Sequence, residues 1–411
     1  MSIVRKNIFI LFLIQGTNYI FPLLTIPYLS RIFGPSGMGA LALSQAIILY
    51  LVMLIDFGFN LTVTRRISIA NENKNQKEIN RLFTHTILIK FFFLAFSIIL
   101  TFLLCQFIPQ FKNIQYLIYI GFISLLGATL NPIWLFQGLQ RMSILLIPTT
   151  LSKFVSLLLI FVFVNGSDDI NWAMFFICLG LFISGLISIL YVFKLKLAKF
   201  CKFDYLFSKN LLVESSYIFV SYLGSSIYTT MNTFIMSFFV GLRNIGIYSS
   251  ADKVITTSQS LMGPLNQAIF PNLSNFNNKK EYLLKFKKFG IILTLIGFLI
   301  SILIFLSSRF IVSILYGSEF YESYKILEIL SILPLVISLG ILFGQWGLIV
   351  IGEAKLLGKI YILGGLSHLL HIFILIYYYD IYGAAVSIVI TETIVSLMLF
   401  LGFCKKIKQW N

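Results

Sequence analysis

The chain has 411 residues, of which 58% are hydrophobic and 11% charged. A soluble chain carries about 25% charged residues, and this much apolar surface cannot be hidden inside a water-soluble fold, so lipid must be its solvent. A net charge of +16 would suit nucleic acid, but the basic residues sit in short loops beside apolar runs, where they act as topology signals, so nucleic acid is excluded as a partner and membrane lipid is expected.

About 20 residues cross a hydrocarbon core at a rise of 1.5 Å per residue. On that length the apolar runs predict an all-α polytopic membrane protein of twelve transmembrane helices. The first six lie at 8–29, 38–60, 84–107, 114–136, 143–164 and 171–193. The second six lie at 211–239, 246–270, 289–308, 327–350, 358–379 and 381–403. Arg5 and Lys6 precede the first run, which continues past signal-peptide length, so no cleavable signal is expected. The breaks at 30–37 and 240–245 are thin, and each holds glycines and one arginine.

Loop charge tests this count. With a cytoplasmic N-terminus the inner segments hold 23 basic residues, from Arg5 and Lys6 through the 194–209 and 279–288 lysines to Lys408. The outer segments hold five: Arg31, Lys112, Arg243, Arg309 and Lys325. A missed span would invert every later loop and destroy that alternation, so both termini are expected in the cytoplasm.

The chain also repeats itself weakly at an offset of about 207 residues, where Gly34–Gly39 aligns with Gly241–Gly246. Two six-helix bundles follow: an N-terminal bundle at 1–193, a cytoplasmic linker at 194–210 and a C-terminal bundle at 211–411. The path for cargo is expected between them.

Polar groups inside the spans are expensive and mark function. Gln15, Asn18, Pro22 and Thr25 share a face of span 1; Gln45, Asp56 and Asn60 share one of span 2. Span 7 carries the longest stripe: Glu214, Tyr217, Ser221, Ser225, Tyr228 and Asn232. Span 8 carries Asp252, Thr256, Gln259 and Asn266. These four helices are the expected cavity walls. Lys153 and Glu392 lie about ten and eleven residues into their spans, near the midplane, where a charge costs at least about 2.5 kcal/mol. They either form a structural ion pair or line the cavity. Lys90 and Lys253 either snorkel toward water or line the path, and Glu214 either neutralises a cytoplasmic lysine or takes part in transport. Trp134 and Trp346 are expected as interface anchors, with Tyr377–Tyr379 a clearer case near the outer face. Cys105, Cys178, Cys201 and Cys404 have no metal or redox spacing, and His85, His368 and His371 form no zinc motif. No glycine loop for nucleotide phosphates occurs, so any ATP drive would need a separate partner.

Six stretches carry a resemblance: Phe21–Ile47, Asp56–Ala70, Asn131–Met142 ("NPIWLFQGLQRM"), Gly246–Val254 ("GIYSSADKV"), Gly263–Ser274 and Leu315–Pro334. In this order the chain resembles the O-antigen flippases, in the superfamily that also holds the multidrug and toxic-compound exporters and the lipid II flippases. That resemblance implies a V-shaped fold like that of the multidrug exporters, alternating inward and outward, and no enzymatic activity. It implies a cationic cavity that moves undecaprenyl-diphosphate-linked oligosaccharides to the periplasmic leaflet of a bacterial inner membrane. On this reading Lys153, Lys90, Arg31, Arg65 and Arg66 serve the diphosphate. Asn18, Tyr217, Tyr228, Asn232 and Gln259 serve the sugars. Asp56, Glu214, Asp252 and Glu392 are the candidate carriers for coupled protons or sodium. No cofactor or metal is expected; an O-antigen polymerase and a chain-length regulator are expected as neighbours.

Three rivals remain. An exporter of cationic drugs on the same fold would favour acidic cavity residues, against the lysines here. A flippase for a capsule, exopolysaccharide or common-antigen unit differs only in its sugar. A glycan polymerase or ligase would need a sizeable outer loop, and none longer than about 20 residues occurs.

Overall fold

The computed structural model describes the backbone of residues 3–274, 276 and 278–409; the side chains of 1–15, 17–20, 225, 267, 268, 271, 272 and 274 lie outside the description. The described chain is helical throughout, joined by short turns. With no water in the bilayer core, each segment must satisfy its own backbone, and the helix does so locally.

Eight helical stretches among the described residues are long and apolar enough to cross a membrane: Phe21–Glu72, Gln76–Phe107, Gln115–Gly138, Ser143–Phe163, Ser167–Lys194, Lys279–Leu315, Ser323–Ile349 and Ala354–Gln409. The first and last run for 52 and 56 residues, about 80 Å at 1.5 Å per residue, more than twice the core thickness. The first is broken at Gly34 (φ 59°) and again at Phe57–Gly58, and the last at Asp380 (φ 54°). The Asp380 break falls between the expected spans 358–379 and 381–403. The expected spans 211–239 and 246–270 are helical but interrupted, as Tyr205–Thr229 with Met231–Met236 and Leu242–Ser260 with Met262–Ser274. They are absent from the eight because their polar stripes dilute the apolar runs. Much of the expected span 8–29 lies outside the described side chains.

The chain divides into two compact units, Met1–Phe33 with Ala40–Tyr222, and Gly34–Gly39 with Leu223–Asn411. In the first unit Phe59, Val63, Ile67, Phe83, Trp134 and Phe136 form a core with no exposed surface. In the second, Tyr282, Trp346, Leu348 and Leu399 do the same. This corrects the expectation for Trp134 and Trp346: both indoles are fully buried rather than at an interface. Trp346 Nε1 donates to Asn266 Oδ1 at 2.6 Å, inside a π-helical segment, Ile341–Ile349. Tyr377, Tyr378 and Tyr379 are exposed, at 73, 71 and 63%.

Several of the six stretches pack against one another. Thr64 Oγ1 donates to the Trp134 carbonyl at 3.2 Å, joining the Asp56–Ala70 and Asn131–Met142 stretches. Tyr316 and Ser323 donate to the carbonyls of Ser250 (2.9 Å) and Ile247 (2.8 Å), joining Leu315–Pro334 to Gly246–Val254. Within the second unit, a Cβ on Gly39 would lie 1.8 Å from the Leu242 carbonyl oxygen, and one on Gly246 would lie 1.8 Å from that of Pro35. No side chain fits either position.

Candidate functional site

Each unit holds its own set of buried polar groups. In the first unit the Gln76–Phe107 helix carries Lys90 into the packed interior, where the side chain is 1% exposed. Its ammonium lies 2.8 Å from Asp56 Oδ1 and donates to the Ala128 carbonyl at 2.6 Å. Asp56 ends the Ile3–Asp56 helix and is 30% exposed; Asn60, one turn on, donates to its other oxygen at 3.3 Å. The chain turns between Asp56 and Asn60 through Phe57 and Gly58, both at positive φ. Gly58 is required there, because a Cβ would meet the Ser215 carbonyl at 2.8 Å. Lys90 therefore does not snorkel: it is desolvated, paired and hydrogen-bonded, the arrangement a buried charge demands.

A second group of charges in this unit fixes the segment before the Tyr205–Thr229 helix. Arg66 pairs with Glu78 at 2.7 Å and Glu214 at 3.6 Å, with its guanidinium 4.9 Å from the Phe207 ring. Arg81 pairs with Asp204 and lies 4.2 Å from the same ring. The Phe207 backbone N–H, then Arg81, hold the Asp204 carboxyl below the usual carboxylate range. His85 Nε2 accepts from the Asp204 N–H at 2.9 Å, and its Nδ1 lies 2.7 Å from the Arg81 carbonyl. The ring is thus the neutral Nδ1–H tautomer.

In the second unit the interior network is uncharged at its centre. His368, with no exposed surface, places Nε2 at 2.8 Å from Asn232 Oδ1 and Nδ1 at 2.7 Å from Thr391 Oγ1. Asn232 Nδ2 donates to the Tyr248 hydroxyl at 3.2 Å. Thr391 donates to the Ser387 carbonyl at 2.9 Å and lies 3.2 Å from His371 Nε2. This cluster escapes a sequence reading that tests histidines only for metal spacing. The available signal was two histidines three residues apart inside an apolar run.

The remaining expected site residues scatter. Lys153 is half-buried on the Ser143–Phe163 helix, while Arg31 and Arg65 are exposed. Tyr217 is 72% exposed, whereas Tyr228 and Asn232 are 3% and 2% exposed, so the span 7 stripe does not keep one environment. Glu214 is 46% exposed and held by Arg66. Gln259, Asp252 and Glu392 are half-buried; Asn18 lies outside the described side chains. Among the described residues no group of His, Cys, Asp and Glu is arranged to hold a metal.

Apolar helices around buried polar networks define a multi-pass membrane protein. A structure of the lipid II flippase MurJ, in an inward closed conformation, matches with a TM-score of 0.78 over 96% of this chain and 86% of that one, at 14% identity. An inward-facing multidrug MATE transporter of the MOP superfamily matches at 0.68, over 94% and 98%, at 13% identity. The fold is therefore all-α and MATE-like. Residues 4–277 match the family described as polysaccharide biosynthesis protein. A putative O-antigen transporter of Shigella dysenteriae is 35% identical over 398 residues, covering 96% of this chain and 98% of that protein. The chain belongs to this family of polysaccharide flippases, and is a transporter rather than an enzyme.

Proposed function

We propose that the protein flips undecaprenyl-diphosphate-linked O-antigen oligosaccharide units from the cytoplasmic to the periplasmic leaflet of a bacterial inner membrane. It does so by alternating access through a cationic cavity between two six-helix bundles, twelve crossings in all, joined by a linker at 194–210, with both termini in the cytoplasm. The observation that carries this reading is the end-to-end similarity, at 35% identity, to a putative O-antigen transporter. The lipid tail stays in the bilayer while the glycan needs a hydrated path. The diphosphate needs cations in a partly desolvated setting, where charge-assisted bonds are strongest. Lys153, near the midplane, is the first such cation; Lys90, Arg31, Arg65 and Arg66 complete the set. Asn18, Tyr217, Tyr228, Asn232 and Gln259 meet the sugars. Asp56, Glu214, Asp252 and Glu392 carry coupled protons or sodium. An O-antigen polymerase and a chain-length regulator receive the product. A flippase for another polyprenyl-linked glycan would use the same cavity.

The test is a deletion strain, in which lipid-linked oligosaccharide should accumulate on the cytoplasmic leaflet; the sugars it carries separate O-antigen from capsule or common antigen. Complementation with Lys153→Ala should lower surface glycan by at least about tenfold at unchanged membrane insertion. Normal display in that variant ends the role given to Lys153, and absence of accumulation ends the flippase reading.

A further inference from the structure

We infer that His368 is a proton-binding group, built to accept a second proton without moving a side chain. The argument is one of hydrogen-bond directions. Asn232 Oδ1 only accepts, so His368 Nε2, 2.8 Å away, carries a hydrogen in every state. The other nitrogen is the variable one. Thr391 Oγ1 lies 2.7 Å from Nδ1 and 2.9 Å from the Ser387 carbonyl oxygen, and has one hydrogen to give. With a neutral ring, that hydrogen points at Nδ1, or Ser387 Oγ supplies one from 3.3 Å. With a proton added at Nδ1, the new N–H donates to Thr391 Oγ1, whose hydrogen turns to the Ser387 carbonyl. Each short contact is then satisfied, and the only motion is a hydroxyl rotation. Metal-ligand geometry is unnecessary for this.

The network ties His368 to three other elements. Asn232 belongs to the Met231–Met236 helix and passes the link to Tyr248 on the Leu242–Ser260 helix. Thr391 and Ser387 lie beyond the Asp380 break in the Ala354–Gln409 helix. Protonation therefore reverses the bond direction between the two limbs of that broken helix while leaving the Asn232 bond in place. His371 lies beside it on its own helix, its ring centroid 5.4 Å away, and Glu392 lies further along; the neighbouring elements carry Tyr228, Arg243, Tyr248, Asp252, Lys253, Tyr324, Lys325 and Glu328. His371 Nε2, 3.2 Å from Thr391 Oγ1 and from the Ser387 carbonyl, donates to the latter in the loaded state. This places the proton on a residue outside the acidic set named above. The role of that proton in transport rests on the flippase reading; its binding does not.

The full chain in lipid nanodiscs, with isotope-labelled histidine, has three histidines to assign. Over the pH range in which the protein stays folded and inserted, the His368 signal should pass from the neutral Nε2–H form to the doubly protonated form. Thr391→Val removes the acceptor for the new N–H and should lower the midpoint by about one pH unit, a tenfold loss of proton affinity; Thr391→Ser should restore it. His368→Gln should reduce surface glycan by at least about tenfold with the protein still inserted. A neutral His368 throughout the range or a midpoint indifferent to Thr391→Val overturns the assignment, and normal export by His368→Gln overturns a part for that proton in transport. Failure of the deletion strain to accumulate lipid-linked oligosaccharide would instead remove the flippase reading and leave the titration standing.

Discussion

Asp56 and Lys90 are unequal halves of their pair, because one reaches water and the other does not. Asp56 is 30% exposed and Lys90 is 1% exposed. Removing Lys90 leaves a carboxylate that hydration and Asn60 still serve. Removing Asp56 leaves a buried ammonium facing only the Ala128 carbonyl. Breaking a buried pair from the side that strands a charge costs about 3–5 kcal/mol. Asp56→Ala should therefore lower the melting temperature of the purified protein more than Lys90→Met does. Equal or reversed shifts in a detergent melting series would show that the pair is not desolvated.

The segment at 195–204 sets Leu197 and Ala198 into the first unit's core and is held to the N-terminal end of the Gln76–Phe107 helix by single polar side chains. Gln76 donates to the Leu197 carbonyl at 2.9 Å; the Lys199 and Cys201 N–H groups donate to Asn80 Oδ1 and Thr84 Oγ1, each at 2.9 Å. His85 and Arg81 hold Asp204. Since the Asp204 carboxyl is held below its ordinary range, the stability it confers is complete above that range and is lost as pH falls through the lowered folded value. A spin label on the exposed Cys201 should thus be ordered at neutral pH and gain a mobile component below about pH 4. Arg81→Ala should show a larger mobile fraction at neutral pH, because Asp204 then keeps only its backbone partners. An equally ordered spectrum in acid and in that variant would rule out the clasp.

At the scale of the whole molecule, the two glycines aligned in the weak repeat meet each other's segments. Gly39 faces Leu242 and Gly246 faces Pro35, partners separated by the same offset of about 207 residues. Such reciprocity is what a local two-fold relation produces. Gly39→Ala and Gly246→Ala should then be equally damaging, each costing about 1–3 kcal/mol of overpacking, read as matched losses of thermal stability; a clear inequality would deny the relation. Hydropathy made the helices legible, since bilayer thickness fixes their length. It could not foresee Trp134 and Trp346 in dry cores, because an amphipathic ring is as much at home at an interface. Nor could it find the partners of Lys90 and His368: depth follows from position along one helix, but a contact between residues 34 or 136 apart depends on how helices rotate against one another.

The Asp56–Lys90 pair also constrains how the protein is made. Lys90, 1% exposed, would carry the penalty of an unpaired charge if it entered lipid alone. The ribosome delivers Asp56 first, and its mate emerges 34 residues later. Lateral release from the translocon is therefore favoured only once both have emerged, so the two segments enter the bilayer together as a hairpin, already neutralised.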